Sequence, residues 1–310
     1  MTKRIILASC IVVVIVVLGF MVQRLVFSRA DDSDLAGVPS LGSAEDPNAQ
    51  ASVAQRIVIR EVSGTVERRG PDGQWKPLAS DDEVNPNDQI RTGPGATARI
   101  EVGDVVSVVV AEQTELNVAE LSSTLSRIRL EDGRIVSEVR GSQGYRFRVQ
   151  VKGSDAVAET GRGKFAVLRR GEGAITVAAE EGSVNVSAQD QGVRVEAGEQ
   201  SVVAPGAPPS PPTKLPMSLL LKLGKPPPSR TRKSEANVVG ETNPGATVVI
   251  NGVASTVGAD GKFTRVVTLR EGSNDIVVVV EDAMGRHTQA ALPEVTLDSR
   301  APRVRGNVEW

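Results

Sequence analysis

Cysteine and histidine are almost absent from this 310-residue chain, which contains one of each, Cys10 and His287. Because every position after Cys10 lacks a thiol, that part of the chain cannot hold a disulfide framework, a cysteine zinc cluster or a thiol nucleophile. A single histidine cannot build a histidine-rich metal cluster. We interpret His287, which follows Gly285 and Arg286 at a predicted turn, as a solvated strand residue.

Aromatic residues are also rare, at 3% of the chain, and the formal net charge is −2. Few rings are therefore left to build the stacking platforms that bind sugars or bases. A net charge near zero argues against a nucleic-acid partner, because such partners attract an excess of lysine and arginine. Glycine, at 30 residues, is abundant together with Val, Ile and Leu, which is typical of short strands joined by tight turns.

One long apolar run stands at the N-terminus, where residues 5–22 carry no charge and follow only Met1-Thr2-Lys3-Arg4. At about 1.5 Å per residue, this run makes a helix of roughly 27 Å, close to the thickness of a bilayer core. We predict a single transmembrane helix over residues 5–27 and a cytoplasmic stub over residues 1–4. Almost all of the chain then lies on one side of the membrane.

The form of this N-terminus predicts which side that is. A short basic segment directly before an apolar stretch is typical of an export signal, so we expect an inner-membrane protein whose bulk is periplasmic. No small-residue cleavage site follows the run, which favours an uncleaved anchor. Residues 7–10 (Leu-Ala-Ser-Cys) match a lipidation motif, but the apolar stretch lies after Cys10 rather than before it. We therefore interpret Cys10 as an ordinary anchor residue, with lipidation as the alternative.

The exported part begins with a spacer and a β domain. Residues 28–54 are small, polar and acidic, which indicates a flexible spacer. Residues 55–203 alternate apolar and polar residues between glycine turns, including predicted turns at Asp132-Gly133 and Glu181-Gly182, and predict an all-β domain. Its best helical candidate is the serine-rich stretch 118–130.

A short sequence pattern recurs in this domain. A glycine, a polar residue and a β-branched residue follow one another at Gly64, Gly133 and Gly182. The pattern indicates either a coil-like structural repeat or the ordinary use of glycine at the start of strands.

Composition changes after this domain, because nine of the eighteen prolines fall in residues 204–234 together with six basic residues. We predict a semi-rigid, basic, proline-rich linker there, with one helical turn over the apolar residues 217–223. Residues 235–298 contain several short strands and a strong two-residue hairpin signal at Asn251-Gly252, and predict a small Ig-like β-sandwich. Residues 299–310 form a C-terminal tail. The predicted fold class is thus all-β behind one transmembrane helix.

Two kinds of motif suggest chemistry, and neither has the required spacing. Residues 161–164 (Gly-Arg-Gly-Lys) resemble a phosphate loop, but Ala158 and Phe165 stand where that loop needs glycine and Ser or Thr. The acidic runs 81–83 and 31–34 lack the spacing of a calcium loop. We predict no catalytic, metal-binding or cofactor-binding residue, no cofactor, and a protein that is not an enzyme.

Residues 55–203 resemble the FecR domain. The resemblance is carried, in the family's order, by residues 64–66 (Gly-Thr-Val), 75–78 (Trp-Lys-Pro-Leu), 87–93 (Asn-Asp-Gln-Ile-Arg-Thr-Gly), 130–134 (Leu-Glu-Asp-Gly-Arg), 160–167 (Thr-Gly-Arg-Gly-Lys-Phe-Ala-Val), 181–184 (Glu-Gly-Ser-Val) and 197–200 (Ala-Gly-Glu-Gln). The chain departs from the family at Asn87, where glycine is more common, and at residues 161–165, where the family has Gly-Thr-x-Phe.

The resemblance implies a periplasmic role connected with signalling. FecR-family transducers sense a loaded outer-membrane receptor and pass the signal to a sigma factor through an N-terminal cytoplasmic segment. That segment is only residues 1–4 here, so signalling would need a second membrane protein. Residues 235–298 look like an Ig-like module of the kind appended to surface and glucan-active proteins, on residues 243–248 (Asn-Pro-Gly-Ala-Thr-Val) and 260–263 (Asp-Gly-Lys-Phe). Such a module indicates a fold and says little about function.

These observations lead to one expected function and two alternatives. We expect a non-enzymatic, membrane-anchored periplasmic binding or scaffold protein of the cell envelope, whose edge strands or loop tips hold an envelope protein or a cell-wall glycan. One alternative is a component of transmembrane signalling that acts through a separate membrane partner. The other is a glycan- or peptidoglycan-binding accessory protein. The sequence does not identify the partner-binding residues.

Overall fold

The structure is a computed structural model that describes residues 56–122, 124–171 and 173–300. The predicted anchor (residues 5–27) and spacer (residues 28–54) lie outside these residues, as does the tail from residue 301. Within the described ranges, no helix has the length and apolar character needed to cross a bilayer. All regular secondary structure there is β, which confirms the all-β class for this part of the chain.

Sixteen strands form the larger module, residues 56–214. They are β1 (Ile57–Ser63), β2 (Val66–Arg69), β3 (Trp75–Pro77), β4 (Glu83–Val84), β5 (Gln89–Thr92), β6 (Thr97–Val102), β7 (Val106–Val110), β8 (Glu115–Leu121), β9 (Leu125–Arg140), β10 (Arg146–Val151), β11 (Val157–Thr160), β12 (Arg162–Arg169), β13 (Ile175–Ala188), β14 (Gln191–Glu196), β15 (Glu199–Val203) and β16 (Thr213–Lys214). The stretch 118–130, the best helical candidate, is therefore β8, a connection and the start of β9, because its buried residues alternate with a period of two.

The strands form two layers. Sheet 1 has the order β4-β1-β6-β7-β9-β12-β13-β15-β16. Sheet 2 has the order β3-β2-β5-β8-β9-β10-β11-β13-β14. All neighbours are antiparallel except β9 and β10, which are parallel. The long strands β9 and β13 belong to both sheets, since each bends from one layer into the other.

A single apolar core lies between the two sheets. Alternate residues of each strand point inward, as in β6 of sheet 1 and β10 of sheet 2, where every second side chain is buried. The rings of Phe147 from sheet 2 and Phe165 from sheet 1 meet at a centroid distance of 6.1 Å. Each fully buried Val, Ile, Leu or Phe stabilises the fold by about 1.5–3 kcal/mol, so this core accounts for most of the driving force for folding.

Glycines in the left-handed region mark the places where the chain crosses between the sheets. Gly64 has φ +74° between β1 and β2, Gly133 has φ +105° inside β9, and Gly182 has φ +68° inside β13. The recurring glycine pattern therefore corresponds to three equivalent corners, which favours the coil-like repeat over the ordinary use of glycine at strand starts. The turns predicted at Asp132-Gly133 and Glu181-Gly182 are bends within continuous strands, because pairing with other strands continues on both sides of each glycine.

The smaller module, residues 219–298, has ten strands. They are β17 (Leu221–Leu223), β18 (Arg230–Thr231), β19 (Glu235–Thr242), β20 (Thr247–Ile250), β21 (Val253–Ser255), β22 (Lys262–Thr268), β23 (Gly272–Asn274), β24 (Val277–Glu281), β25 (His287–Ala291) and β26 (Val295–Leu297). They make three small sheets with the orders β17-β19-β22, β18-β26-β23 and β21-β20-β24-β25, which share one core. The hairpin predicted at Asn251-Gly252 is confirmed: both residues have positive φ, as a two-residue turn between twisted strands requires.

The proline-rich stretch 204–234 differs from a free linker, because parts of it pair with both modules. Its strand β16 extends sheet 1 along β15, and Pro209 bridges to Val203. Its strand β17 pairs with β19, and β18 pairs with β26. Residues 221–223, predicted within a helical turn, are a strand whose leucines pack on the core of the smaller module. The physical reason is that apolar side chains at alternate positions fit the edge of a sheet.

The corner at Gly133 gives a first prediction. A Cβ at this position would lie 2.2 Å from Thr114 Oγ1 and 2.5 Å from Thr114 Cα, so Gly133→Ala adds a steric overlap to a strained φ. We expect a loss of about 3–5 kcal/mol in the free energy of unfolding, measured by urea denaturation. Gly73→Ala is the matched control, because Gly73 has φ +71° and no atom within 4 Å of such a Cβ. It should lose only about 1 kcal/mol. Equal losses would contradict the role of the corner.

A second prediction concerns Tyr145, the sole tyrosine of the chain. Burial raises the pKa of its phenol, and its hydrogen bond to Ser126 Oγ, 2.8 Å away, opposes that rise in part. In the unfolded chain the pKa of Tyr145 is about 10, and below that pH the neutral phenol contributes its full stabilising effect to the folded state. This contribution is lost as the pH rises through the higher pKa of Tyr145 in the folded state. We expect tyrosinate absorbance to appear above pH 10 and unfolding to accompany it. Tyr145→Phe should weaken this alkaline loss of stability, and an unchanged alkaline transition in Tyr145→Phe would contradict the assignment.

Candidate binding site between the two modules

The two modules meet where the outer face of sheet 1 receives a short loop of the smaller module, residues 282–286. Ala283 is 1% exposed and packs in a small cluster with Ala166, Leu168 and Ala178 of the larger module. Because the alanine side chains on β12 and β13 are short, the loop can pack closely against the sheet. The contact removes apolar surface of both modules from water.

The side chain of Asp282 gives this loop its shape. Its Oδ1 accepts hydrogen bonds from the backbone N–H groups of Met284 and Arg286, each at 3.0 Å, and its Oδ2 accepts one from Arg286 Nε at 2.7 Å. Gly285 completes the turn with φ +81°. A Cβ on Gly285 would lie 2.6 Å from a guanidinium nitrogen of Arg134, so that side chain would have to shift, and the positive φ itself favours glycine here.

One carboxylate of the smaller module is shared by two arginines of the larger one. Glu281, the last residue of β24, accepts from Arg134 Nε through Oε1 and from Arg170 Nη2 through Oε2, both at 3.0 Å. Arg170 is 9% exposed, and its Nη1 also donates to the carbonyl oxygen of Gln113 at 2.6 Å. All three charged groups are largely removed from water, so each needs the others to offset its desolvation.

Neutral hydrogen bonds extend the contact to a second loop, residues 243–247. Thr176 Oγ1 donates to the carbonyl oxygen of Gly245 at 2.6 Å, and Gln200 Nε2 donates to that of Pro244 at 3.0 Å. Gly245 has φ +83°, and a Cβ there would lie 2.9 Å from a methyl carbon of Val202. Thr176, Gln200 and Val202 lie on the outer face of β13 and β15, so both contacts of the smaller module are made with one face of sheet 1.

A cleft of about 580 Å³ lies beside these contacts, with walls from both modules and from the proline-rich stretch. Small apolar residues form most of its surface, among them Ala174, Val202, Pro211 and Val257. A volume of this size lies in the range of cavities that bind small ligands or partner side chains. Its position at the boundary of two modules is also one where binding sites commonly occur.

Two polar residues of the cleft lining, Ser255 and Lys214, lack a side-chain partner among the described residues. Ser255, at the end of β21, is 9% exposed, and its Oγ has no hydrogen-bond partner among the described residues. Leaving a buried hydroxyl unpaired costs about 1–3 kcal/mol. Lys214 is exposed at the wall and forms no ion pair within the described part of the chain, whereas Arg170 is held by Glu281. The lining residues include no Asp or Glu, so the cleft favours a neutral or acidic group.

The residues that the sequence analysis singled out lie away from this cleft. His287 is exposed at the start of β25. Residues 161–164 are the position before β12 and its first three residues, and Lys164 pairs with Glu180 at 2.9 Å. In the acidic run 81–83, Asp82 Oδ2 accepts a hydrogen bond from the backbone N–H of Ala79. Among the described residues, no group of three or more His, Cys, Asp or Glu side chains is placed to hold a metal ion.

Sequence reasoning missed Glu281, Arg170 and Ser255. Glu281 is one of 38 acidic residues, and its arginine partners stand 147 and 111 positions earlier in the chain. The one available signal was that Glu281 directly follows the apolar run 276–280, which places an acid at the end of a buried strand.

Comparisons with known proteins agree with part of the sequence analysis. Residues 88–185 match the family model "FecR protein", which confirms that resemblance. Residues 228–298 match the model "Glucodextranase, domain B", while an Ig-like identity for this module stays a prediction. The comparison with curated proteins finds no match.

Two crystal structures of a candidate anti-sigma factor from Parabacteroides distasonis are similar to this chain, at 20% and 19% identity and a TM-score of 0.37. In both cases the similarity covers 41% of this chain and 59% of the other, so the chain spans less than two thirds of these relatives. A polysaccharide lyase is similar over 79% of this chain and 40% of its own, at 11% identity and a TM-score of 0.20. At these TM-scores the likenesses carry no argument about function.

Glu281→Gln tests the contact between the modules. The substitution keeps the size of the side chain and leaves two largely buried guanidinium groups without a counter-charge, so we expect a loss of about 3 kcal/mol in the free energy of unfolding. Glu180→Gln is the control, because the pair of Glu180 with Lys164 is 39% and 31% exposed and should contribute at most about 1 kcal/mol. Urea denaturation measures both. A loss for Glu281→Gln no larger than that of the control would contradict a buried clamp.

Proposed function

We propose that this chain, which contains a FecR domain, is a non-enzymatic binding and scaffold protein of the cell envelope, anchored by residues 5–27 with its modules in the periplasm. The observation that supports this most is the cleft between the modules, with its mostly apolar lining and the exposed Lys214. The partner is an envelope protein or a cell-wall glycan, a segment of which occupies the cleft.

The contact around Glu281 is what would make the cleft suitable for binding. Because charged, neutral and apolar contacts hold the modules at several points, the walls of the cleft are in place before a partner arrives. A preformed site avoids the cost of ordering its loops on binding, which raises affinity. The partner then gains from burying apolar surface in the cleft.

This proposal changes the binding surface expected from the sequence. The edge strand beside the cleft, β16, is a poor candidate, because it has only two residues, carries Lys214 and is preceded by Pro211 and Pro212. Short strands, lysine and proline are the devices by which proteins prevent another chain from pairing with a sheet edge. The loops at residues 243–247 and 255–259, together with the proline-rich wall, supply the contacts instead.

A second candidate function is participation in transmembrane signalling, which the match of residues 88–185 to the FecR model favours. In that case the partner in the cleft is the signal, and a separate membrane protein in contact with this chain transmits it. The two candidates differ in their dependence on the anchor. Replacing residues 5–27 with a cleavable export signal releases the protein from the membrane. A binding scaffold should still bind its partner after this change, whereas a signalling component should no longer transmit its signal.

Photocrosslinking in intact cells tests the proposed function. A benzophenone amino acid at Ala259, an exposed residue of the cleft wall, should give a discrete light-dependent adduct with an envelope component. Adduct formation should fall several-fold when Val202→Trp fills the cleft. The control position is Asn237, which is exposed on β19 and is not part of the cleft lining. No adduct at Ala259, or equal adducts at both positions that Val202→Trp leaves unchanged, would count against the cleft as the binding site.

A further inference from the structure

A row of polar and aromatic side chains crosses the outer face of sheet 2, on the side of the larger module away from its core. The pairing of neighbouring strands places its members opposite one another, from β3 to β10. They are Trp75, Arg69, Gln89, Asn117, Arg129 and Gln150. Neighbouring strands lie about 4.8 Å apart, so the row is roughly 24 Å long. None of these residues lines the cleft between the modules.

Trp75 stands at one end of the row with its ring held in position by arginines. The guanidinium carbon of Arg91 lies 4.0 Å from the ring centroid and that of Arg69 lies 4.7 Å from it. Glu67 holds Arg91 at 2.7 Å, and Gln89 Oε1 accepts hydrogen bonds from Arg69. Cation–π contacts of this kind fix the orientation of an aromatic ring. Trp75 remains partly exposed.

The other end of the row has free hydrogen-bonding groups. Arg129 is exposed and forms no ion pair or hydrogen bond with any residue that the structure describes. Its direct neighbours are the amides of Asn117 and Gln150. Asn117 uses its Nδ2 on the carbonyl oxygens of Asn87 and Asp88, which leaves its Oδ1 as an acceptor. An exposed arginine between two amides can bind a planar anion while the amides bind hydroxyl groups.

Two further arginines lie close to Arg129 on this face. Arg127 stands two residues before Arg129 on β9, and Arg148 lies directly opposite Arg127 on β10. Two like charges opposite each other are unfavourable, and Glu120 on β8 and Glu159 on β11 offset them. Glu131, two residues after Arg129 on β9, is paired with Lys152 at 2.6 Å. Arg127 Nε has no hydrogen-bond partner in the described residues. A carboxylate bound at Arg129 would reduce the repulsion among these three guanidinium groups.

We infer that this row, here called the sheet 2 row, is a binding site for an acidic polysaccharide of the uronate type. The strand spacing is close to the length of one sugar ring, so a glycan that crosses the strands meets about one side chain per sugar. One ring stacks on Trp75, the amides bind hydroxyl groups, and Arg129 binds a carboxylate. This inference goes beyond the proposed function, because the row and the cleft share no residue.

Calorimetric titration with short galacturonate oligosaccharides tests the inference, on the full chain in nanodiscs of zwitterionic lipid. The wild-type protein should bind them at least about tenfold more tightly than neutral galactose oligosaccharides of the same length. Arg129→Gln should weaken galacturonate binding by about tenfold and remove the preference for the acidic sugar. Trp75→Ala should weaken the binding of both sugars.

Arg194→Gln is the matched control, since Arg194 lies on the same face in β14 and pairs with Glu196 at 2.6 Å. It should change affinity less than twofold, and Val202→Trp, which fills the cleft, should also leave sugar binding unchanged. The inference is overturned if the wild-type protein does not bind galacturonate oligosaccharides, or if Arg129→Gln and Arg194→Gln weaken binding equally. Tighter binding of polyphosphate or of anionic lipid vesicles than of the sugar would overturn it as well, because charge alone would then explain the binding.

Discussion

Burial of the Glu281 carboxylate between Arg134 and Arg170 is the constraint on which the rest of this structure depends. Two guanidinium groups and one carboxylate leave water together, and the desolvation cost of each is offset only while the modules remain in contact. The apolar contact of Ala283 and the hydrogen bonds to Gly245 and Pro244 act at other points of the same face of sheet 1. Together they give the cleft two fixed walls, so its shape follows from the clamp.

The larger module provides that face because its chain crosses repeatedly between two sheets. Glycines in the left-handed region let strands as long as β9 and β13 bend from sheet 1 into sheet 2 without interrupting their pairing. Both sheets then bury one face in a common core and present the other outward. One outward face carries the smaller module and the cleft, and the other carries the sheet 2 row. The cleft and the sheet 2 row are consequences of one folding pattern.

The sequence predicted what depends on local pattern and missed what depends on distant partners. Alternation of apolar and polar residues predicted most strands, and Asn251-Gly252 predicted its hairpin, because turn geometry is set by the residues of the turn itself. Gly133 and Gly182 were predicted as turns, since nothing local distinguishes a turn from a corner within a continuous strand. The proline-rich stretch was predicted as a linker because its pairing with β15 and β19 is visible only in three dimensions. The clamp at Glu281 joins residues 147 and 111 positions apart, so no local pattern could predict it.

The central claim, that the two modules form one fixed unit, is tested most directly by a distance measurement between them. Pulsed electron paramagnetic resonance on nitroxides at Gln143 of the larger module and Thr264 of the smaller one reports that distance, in a Cys10→Ser background that carries no other thiol. Both positions are exposed, so the labels do not disturb the cores. The account predicts a single narrow distance distribution. A broad distribution, of the kind given by modules on a free linker, would contradict it.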